Sequence, residues 1–575
     1  MTNVMNKQER RNTNRWLPKA IELFFVPNVF KRLKTKFILN DVFAGITVGI
    51  VALPLAMAFA IASGVSPARG LFTAIVGGFL ISFLSGSKYQ IGGPTGAFVV
   101  IIYGIVARHG YEGLVAATLL AGAFLIIFGL LRLGTYIKYI PQPVTTGFTT
   151  GIAVLIFSTQ VKDFFGLSIK NVPAEFIEKW EVYIQNFSTI SPVVFLIGII
   201  TVATIITIRK IYPRIPAHFV AILLVSFITW YMGLDIQTIG SKFGGIPAKL
   251  PHFAIPAGLS LKLFRAVLPD AVTIALLAAI ESLLCAVVAD AMTGDKHYSN
   301  TELVGQGVAN IGSIFFGGIP ATGAIARTAT SIKAGAKTPL AGIIHVAVIV
   351  LFVMFLAPLA SYIPLAGLAG VLFIVSWDMS ELHVFKRMFR APKSDLAVML
   401  ITFTLTLVSD LTVAVQFGMV FAALLFMKRM SDVTSVQAHK KMFGDDGALP
   451  EDMDPEAAAN KKIPDGVSVY EINGPMFFGV ADKFNDEFSR VSLAPKAFII
   501  RMRHVPTMDS TAAFALESFI KSAVKRGSKV ILSEISAQPH KVIRKMGIEK
   551  FVGKNNIAPS FDEAIKISKT IDKTN

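Results

Sequence analysis

Long hydrophobic runs, separated by short polar segments, occupy the chain from about residue 43 to residue 430. Several of these runs are shorter than the roughly 20 residues that a straight helix needs to cross a bilayer. The fourteen runs are 43–63, 68–85, 90–108, 113–133, 139–160, 190–211, 215–234, 266–291, 303–318, 322–333, 339–362, 365–377, 395–411 and 413–428. This pattern predicts an α-helical polytopic membrane protein.

The pattern changes after residue 430, where short apolar runs alternate with amphipathic segments. Strands are predicted at 467–472, 496–502 and 528–533, and helices at 480–492, 510–526, 538–547 and 559–570. Such alternation is typical of a small α/β domain with a mainly parallel sheet. The predicted domains are a basic N-terminal segment (1–42), a transmembrane domain (43–430), a linker (431–464) and an α/β domain (465–575).

Composition supports the membrane prediction and excludes several classes of protein. Of the 575 residues, 53% are hydrophobic and 16% are charged, whereas soluble domains carry about 25% charged residues. The single cysteine, Cys285, excludes a disulfide framework or a zinc cluster. No metal site, nucleotide-binding motif or catalytic constellation is present, so we predict neither a cofactor nor an enzyme. Any work that needs energy is then expected to draw on ion gradients and not on ATP.

The net charge of +18 does not indicate a nucleic-acid partner, because much of it lies in short loops between apolar runs. Cytoplasmic loops of membrane proteins carry an excess of Lys and Arg. This rule predicts that both termini are cytoplasmic. The basic loop residues are Arg132, Lys138, Arg209, Lys210, Arg214, Lys386, Arg387, Arg390, Lys393, Lys428 and Arg429.

Two matching motifs indicate an inverted repeat. The sequence Gly-Pro-Thr-Gly at 93–96 begins the third run, and Pro-Ala-Thr-Gly at 320–323 begins the tenth. Asp41 and Asp270 stand before or at the start of the first and eighth runs. An odd number of segments per half places the halves in opposite orientations. Paired Gly/Pro-interrupted segments in corresponding positions are the best sequence indication of a transporter's midplane site.

The two motifs predict an anion site. Proline suits the first turn of a helix, and glycine lets backbone approach a ligand closely. If both helices start at mid-membrane, their N-termini offer unpaired N–H donors and partial positive charge. The predicted contacts from the third segment are Pro94, Thr95, Gly96 and Ala97. The alternative is a pair of helix kinks without a ligand.

Two charged residues within apolar runs strengthen the hypothesis, because charge inside a membrane is costly and usually functional. Arg327, one turn after Gly323, is predicted to add a fixed positive charge; a snorkelling Arg at the membrane edge is the alternative. Glu281 lies deep in the eighth run and suggests proton coupling; a structural pair with Arg327 is the alternative. Phe59 is predicted to form an apolar wall over the site, or else to be core.

The motifs resemble those of the SulP family of anion transporters, the bacterial relatives of plant sulfate transporters and of animal prestin and pendrin. The resemblance rests on the segments 53–65, 93–97 and 318–342. Around residues 472–479 and 508–511 the tail is similar to a STAS domain, which in turn resembles bacterial anti-sigma-factor antagonists.

This resemblance implies fourteen segments in two inverted halves of seven, divided into a core and a gate domain. It also implies a homodimer in the bacterial inner membrane and an elevator-like motion of the core. Substrate is expected between the third and tenth segments, with Ala326, Arg327 and Thr328 as the contacts from the tenth. Sodium-coupled bicarbonate members similar to this chain have Asp where it has Glu281, and they lack Arg327.

The predicted function is therefore secondary active transport of a small anion with proton symport. The sequence leaves the anion open among sulfate, bicarbonate and dicarboxylates such as fumarate or succinate. A sodium-coupled bicarbonate transporter, and a channel or exchanger regulated by the STAS domain, are the alternatives. Ser510 matches the position at which antagonist domains are phosphorylated, although Asp509 and Ser510 also suit a helix N-cap.

Overall fold

The computed structural model describes most of the chain. It covers residues 37–137, 141–170, 172–173, 175–212, 215–409, 411–433, 435–439, 461–477 and 495–570. Residues 1–36, Lys138, Arg214, most of the predicted linker and the helix predicted at 480–492 lie outside the described residues. The chain divides into two compact units, Met1–Val420 and Phe421–Asn575.

The first unit is helical, with two very short strands. Its first half contains α1 (Ile38–Ala62), α2 (Pro67–Leu84), β1 (Gly92–Gly93), α3 (Gly96–Leu130), α4 (Gly134–Ile137), α5 (Gln142–Phe165), α6 (Phe176–Gln185), α7 (Pro192–Ile211) and α8 (Ala217–Tyr231). Its second half contains α9 (Ile239–Phe243), α10 (Leu261–Ala266), α11 (Leu268–Thr293), α12 (Ser299–Phe315), β2 (Thr322–Gly323), α13 (Ile325–Lys333), α14 (Leu340–Leu351), α15 (Leu365–Met379), α16 (Leu382–Met388) and α17 (Lys393–Val408). Helix α18 (Leu411–Val433) crosses the boundary between the units.

Each of the fourteen predicted apolar runs coincides with helix in the structure, which confirms the predicted fold class. The third and fourth runs form one helix, α3, interrupted at Gly110 by a left-handed φ of 66°. The eleventh run extends α14 by a π-helical turn and a 3₁₀ segment. Within the described residues, eight helices are long and apolar enough to cross a membrane.

Small residues let the helices pack closely, as is common between membrane helices. A Cβ added to Gly70 on α2 would lie 2.0 Å from the carbonyl oxygen of Ala56 on α1. Asp41 is buried and accepts hydrogen bonds from the backbone N–H groups of Lys337 (2.7 Å) and Thr338 (3.1 Å). It therefore ties the start of α1 to the segment that leads into α14.

The second unit contains a five-stranded sheet in the order β3-β4-β5-β6-β7. The strands are β3 (Ser435–His439), β4 (Val467–Asn473), β5 (Ala497–His504), β6 (Lys529–Ser533) and β7 (Ile557–Ala558). The pairings from β4 to β7 are parallel and only β3 is antiparallel, as the mainly parallel prediction requires. The helices are α19 (Ser510–Lys525), α20 (Ala537–Lys545), α21 (Glu549–Val552) and α22 (Phe561–Thr570).

One strand of this sheet lies where the sequence pattern does not predict a strand. Strand β3 lies inside the segment 431–464, which the sequence predicts to be a linker. The sequence Ser-Val-Gln-Ala-His has only two apolar residues, so its strand character is weak when read locally. It becomes a strand through pairing with β4, whose residues lie more than twenty positions further along the chain.

Candidate anion site

The starts of α3 and α13 are brought together by a two-stranded antiparallel ladder. Gly92 pairs with Gly323, and Gly93 pairs with Thr322. Each strand leads directly into its helix, so the two helix N-termini begin from a common ladder. The sequence identified both motifs but not this pairing, because a two-residue strand has no periodicity to read.

Neither helix start is closed by its own N-cap side chain. The N-cap residues, Thr95 of α3 and Ala324 of α13, make no side-chain capping hydrogen bond. The first turns therefore keep N–H groups that no N-cap side chain satisfies, as an anion site requires. Pro94 precedes the N-cap of α3 and does not occupy its first turn, which corrects the predicted position of this proline.

Arg327 lies in the first turn of α13 and is 2% exposed. Its Nη2 donates a hydrogen bond to the carbonyl oxygen of Pro94. Its Nη1 is buried without a hydrogen-bond partner among the described residues. A guanidinium from the second half is thus held against the backbone of the first half, with one nitrogen still able to donate.

Gly93 makes this close approach possible. Its φ is +146°, which L residues with a side chain rarely adopt. A Cβ at this position would lie 2.8 Å from Nη1 of Arg327 and 3.5 Å from Cα of Ala74. The glycine is therefore required both by its backbone conformation and by the space that Arg327 occupies.

Thr328, the next residue, is turned into the protein. Its Oγ1 accepts hydrogen bonds from the backbone N–H of Ile91 (3.0 Å) and from Sγ of Cys285 (3.2 Å). The structure thus places Thr328 as a buried link between α11, α13 and the segment before β1. Ala326, by contrast, is exposed.

Glu281, on α11, is partly exposed and accepts a hydrogen bond of 3.1 Å from Oγ1 of Thr95. The N-cap hydroxyl of α3 is thereby directed to a carboxyl group instead of to its own helix. Both Glu281 and Arg327 are described residues, and they form no ion pair with each other. The structural pair considered from the sequence is therefore absent, and the carboxyl group is connected instead to the start of α3 through Thr95.

Ser282 was not singled out by sequence reasoning, although it positions the ladder. Its Oγ lies 2.7 Å from Oγ1 of Thr322 and accepts from the backbone N–H of Gly323 at 3.2 Å. Its carbonyl oxygen accepts from Nε2 of Gln90 at 3.1 Å. Ser282 could have been found from the sequence, because it is a polar residue next to Glu281 in an otherwise apolar helix. No comparable indication was present in the sequence for Gln90.

Apolar side chains lie beside the start of α3. Phe59 is 5% exposed, and its Cε1 would be 3.3 Å from a Cβ placed on Gly96. The same Cβ would meet Sδ of Met379 at 2.8 Å. Phe59 thus stands next to the N-terminus of α3, and Ala97, the residue after Gly96, is also buried. Met379 could not be placed here from the sequence.

Ser510 lies in the second unit, away from these residues in the chain, and is exposed in the first turn of α19. The N-cap of this helix is Asp509, whose side chain accepts from the backbone N–H of Ala512 at 2.7 Å. Asp509 therefore acts as a helix cap. Among the described residues, no group of three or more His, Cys, Asp or Glu side chains could hold a metal ion.

The fold and the paired broken helices define a multi-pass helical membrane transporter. The structure of SLC26A9 superposes with a TM-score of 0.83 at 18% identity and covers 96% of this chain and 94% of that one. The transmembrane domain of a cyanobacterial bicarbonate transporter, BicA, gives a TM-score of 0.60 at 31% identity, over 68% of this chain and 98% of that one.

The chain belongs to the sulfate permease family, whose sequence model matches residues 38–402, and it carries a STAS domain matched at 458–564. YvdB of Bacillus subtilis (strain 168), whose name gives sulfate transport as a provisional role, is 39% identical over 536 residues, covering 93% of this chain and 98% of YvdB. The bicarbonate transporter BicA of Synechocystis is 32% identical over 543 residues, covering 92% and 93%. Both relatives are named as transporters.

Proposed function

We propose that this protein is a secondary active transporter of a small anion that binds between the N-termini of α3 and α13. The observation that carries the proposal is the buried guanidinium of Arg327, which lies where the two helix starts converge and keeps Nη1 unpartnered. A buried donor without a partner is costly, and an anion would satisfy it. The proposed contacts are Phe59, Pro94, Thr95, Gly96, Ala97, Ala326, Arg327 and Thr328.

Charge and geometry limit the substrate to small anions. Each helix N-terminus carries about half a positive charge, and Arg327 adds a whole one. Planar or tetrahedral oxyanions and short dicarboxylates fit this set of donors, since guanidinium and backbone N–H groups both bind oxygen. The names of the relatives favour sulfate or bicarbonate. Dicarboxylates remain candidates of the same chemical class.

We further propose that Glu281 couples transport to protons. Its hydrogen bond to Thr95 places the carboxyl group one side chain away from the N-cap of α3. A bound anion repels the charge on Glu281, so the loaded site favours the protonated carboxyl. Because linkage is reciprocal, protonation of Glu281 then favours anion binding. This mechanism moves a proton with the anion and needs no sodium site.

The family resemblance supports the remaining parts of the proposal. They are an elevator-like movement of a core domain against a gate domain, a homodimeric assembly, and residence in the bacterial inner membrane with both termini in the cytoplasm. The basic loops on the predicted inner side agree with that orientation. The proposed role of the STAS domain is regulation, with Ser510 as a candidate site of phosphorylation.

Uptake into proteoliposomes tests the function. Radiolabelled sulfate, bicarbonate and succinate would be offered to the purified protein under an inward proton gradient, an inward sodium gradient or no gradient, with potassium and valinomycin clamping the membrane potential. We expect at least one anion to accumulate above its equilibrium level with the proton gradient alone. Accumulation that requires sodium would replace proton coupling by the sodium alternative, and equilibration without accumulation would indicate a channel or exchanger.

A further inference from the structure

A large cavity lies beside α3, beyond the candidate site. Its volume is about 520 Å³, and side chains from α3, α5, α6, α11 and α17 line it. On α3 the lining begins at Val100, one turn after the helix start, and extends to Arg108 near the break at Gly110. The cavity therefore follows α3 from the proposed anion site toward the loop side that carries α6.

Lys179, on α6, is a charged residue buried against this cavity. It is 3% exposed and belongs to the cavity lining. Its Nζ lies 5.8 Å from the centroid of the Tyr103 ring, a cation–π distance. It forms no hydrogen bond or ion pair with another side chain in the described part of the protein. Burial lowers the pKa of Lys179 to about 8, because desolvation disfavours the charged ammonium.

The other charged groups at the cavity do not neutralise Lys179. Arg108 of α3 and Asp270 of α11 form an ion pair of 2.8 Å. Glu175 is the N-cap residue of the helix that carries Lys179, but it is exposed and makes no ion pair with Lys179. The uncharged linings from α5 and α17 are Leu155, Thr159 and residues 406–409. On α5, Asp163 faces Lys242 at 3.9 Å.

We propose that this cavity is a second anion subsite, in which Lys179 binds a small oxyanion on its way between solvent and the site at Arg327. The proposal rests on the proposed transport of anions. Tyr103, the aromatic neighbour of Lys179, lies eight residues beyond Thr95, which is about 12 Å along the helix axis. An anion at Lys179 therefore lies outside the proposed site at Arg327. Its negative charge neutralises the buried ammonium group of Lys179, which has no ion-pair partner among the described residues.

The chemistry of the lining fits a hydrated oxyanion. The hydroxyl groups of Thr159, Thr273 and Ser409 make the cavity wall polar. Each donates its own proton to a backbone carbonyl oxygen one turn earlier, so Lys179 supplies the donor and the hydroxyl oxygens can accept from water around the anion. The volume is many times the roughly 30 Å³ that one water occupies in the liquid, so the anion can keep part of its hydration shell. Such a site concentrates substrate without the cost of full desolvation.

The first test separates substrate capture from turnover. In cells or in proteoliposomes of defined orientation, sulfate uptake would be measured as a function of its concentration on the side that carries α6. We expect Lys179→Gln to raise the half-saturating concentration about fivefold and to leave the maximal rate unchanged, while Lys179→Arg stays close to wild type. Lys262→Gln, which removes an exposed lysine of α10, is the matched control and should change nothing.

The second test compares the pH dependence of sulfate uptake in the wild type with that in Lys179→Arg. Both proteins carry a basic side chain at position 179, but only the lysine loses its charge within the range tested. Sulfate keeps its charge over the range used, so only protein groups titrate. Between about pH 7 and pH 9 the wild type loses the charge on Lys179 and its half-saturating concentration should rise, whereas Lys179→Arg stays charged and should not show this rise. Tyr103, Glu175, Arg108 and Asp270 are common to both proteins, so the difference reports Lys179. Identical pH profiles would overturn the proposal.

The third test needs no transport, so it also decides the case of a wild type that transports none of the anions offered. Trp180 adjoins Lys179, and the other three tryptophans (Trp16, Trp230 and Trp377) would be changed to Phe. Iodide should quench Trp180 saturably and more weakly after Lys179→Gln, while neutral acrylamide quenches both proteins equally. Iodide quenching that is equal with and without Lys179→Gln refutes the subsite, as does an unchanged half-saturating concentration in the first test. Neither result bears on the proposed site at Arg327.

Discussion

The starts of α3 and α13 occupy corresponding places in the two halves, yet they differ in helix length, in charge and in hydrogen bonding. Helix α3 continues for 35 residues with a break at Gly110, whereas α13 ends after nine residues at Lys333. The first turn of α3 carries no charged residue, and its N-cap hydroxyl is bonded to Glu281. The first turn of α13 carries Arg327.

The side chains of α13 are directed back to the first half. Arg327 donates to the carbonyl of Pro94, and Thr328 accepts from the N–H of Ile91. The second half thus supplies the fixed charge of Arg327 and the hydrogen bonds that hold the two helix starts together. The first half supplies backbone donors and, through Thr95, a hydrogen bond to the titratable carboxyl group of Glu281. The two helix starts thus share a backbone arrangement but differ in their side chains. We propose that Arg327 binds the anion and that Glu281, through Thr95, responds to its charge.

Removal of the fixed charge should have the largest effect. A charge-assisted hydrogen bond is worth about 1.5–3 kcal/mol, so Arg327→Ala should weaken anion binding roughly tenfold to a hundredfold. Thermal shift against anion concentration measures the affinity. Lys333→Ala, which removes an exposed cation from the last turn of the same helix, should leave it unchanged. Equal affinity in a folded Arg327→Ala protein rejects Arg327 as a ligand.

Displacement of the guanidinium without loss of its charge is the next step. Gly93→Ala places a methyl group 2.8 Å from Nη1 of Arg327 and strains a φ of +146°, so we expect about 1–3 kcal/mol of destabilisation together with weaker anion binding. Gly104→Ala is the control, because its Cβ would meet only Nη1 of Arg108, at 3.5 Å. A Gly93→Ala protein as stable and as active as wild type contradicts the close-approach argument.

The proposed proton coupling is tested at Glu281 of α11, which accepts a hydrogen bond from Thr95 of the first half. Glu281→Gln mimics the protonated carboxyl and should keep anion exchange but lose the acceleration of uptake by an inward proton gradient. Thr95→Val, which removes the hydrogen bond between the N-cap and the carboxyl, should reduce that acceleration in part. Uptake at two external pH values measures both. Full dependence on the proton gradient in Glu281→Gln would show that another group carries the proton.

The smallest effect on the site is expected from deletion of residues 440–575. Both helix starts lie in the first unit, which has its own apolar core. Transport should fall through lost regulation or dimer contacts, while the relative uptake of sulfate, bicarbonate and succinate stays the same. Competition assays measure the ratio. A changed order of substrates would mean that the second unit shapes the site.

Much of the architecture could be predicted from the sequence because hydrocarbon imposes a simple demand. Side chains in the bilayer must be apolar and backbone groups must bond within the segment, so each run of suitable length becomes a helix. The same cost of polarity made Arg327 and Glu281 conspicuous as charges inside apolar runs. The alternation after residue 430 similarly predicted a mainly parallel α/β domain.

Tertiary structure alone decided what those residues contact. The hydrogen bonds from Thr95 to Glu281 and from Arg327 to Pro94 join positions 186 and 233 residues apart in the chain. The ladder of Gly92–Gly93 with Thr322–Gly323, and the strand Ser435–His439, exist only through partners distant in sequence. The local hydrophobic pattern of a segment indicates whether it prefers hydrocarbon or water. The partner of a single hydrogen bond depends instead on how whole helices pack against each other. The same packing directs Arg327 to Pro94 and Glu281 to Thr95, so these two described residues form no ion pair with each other.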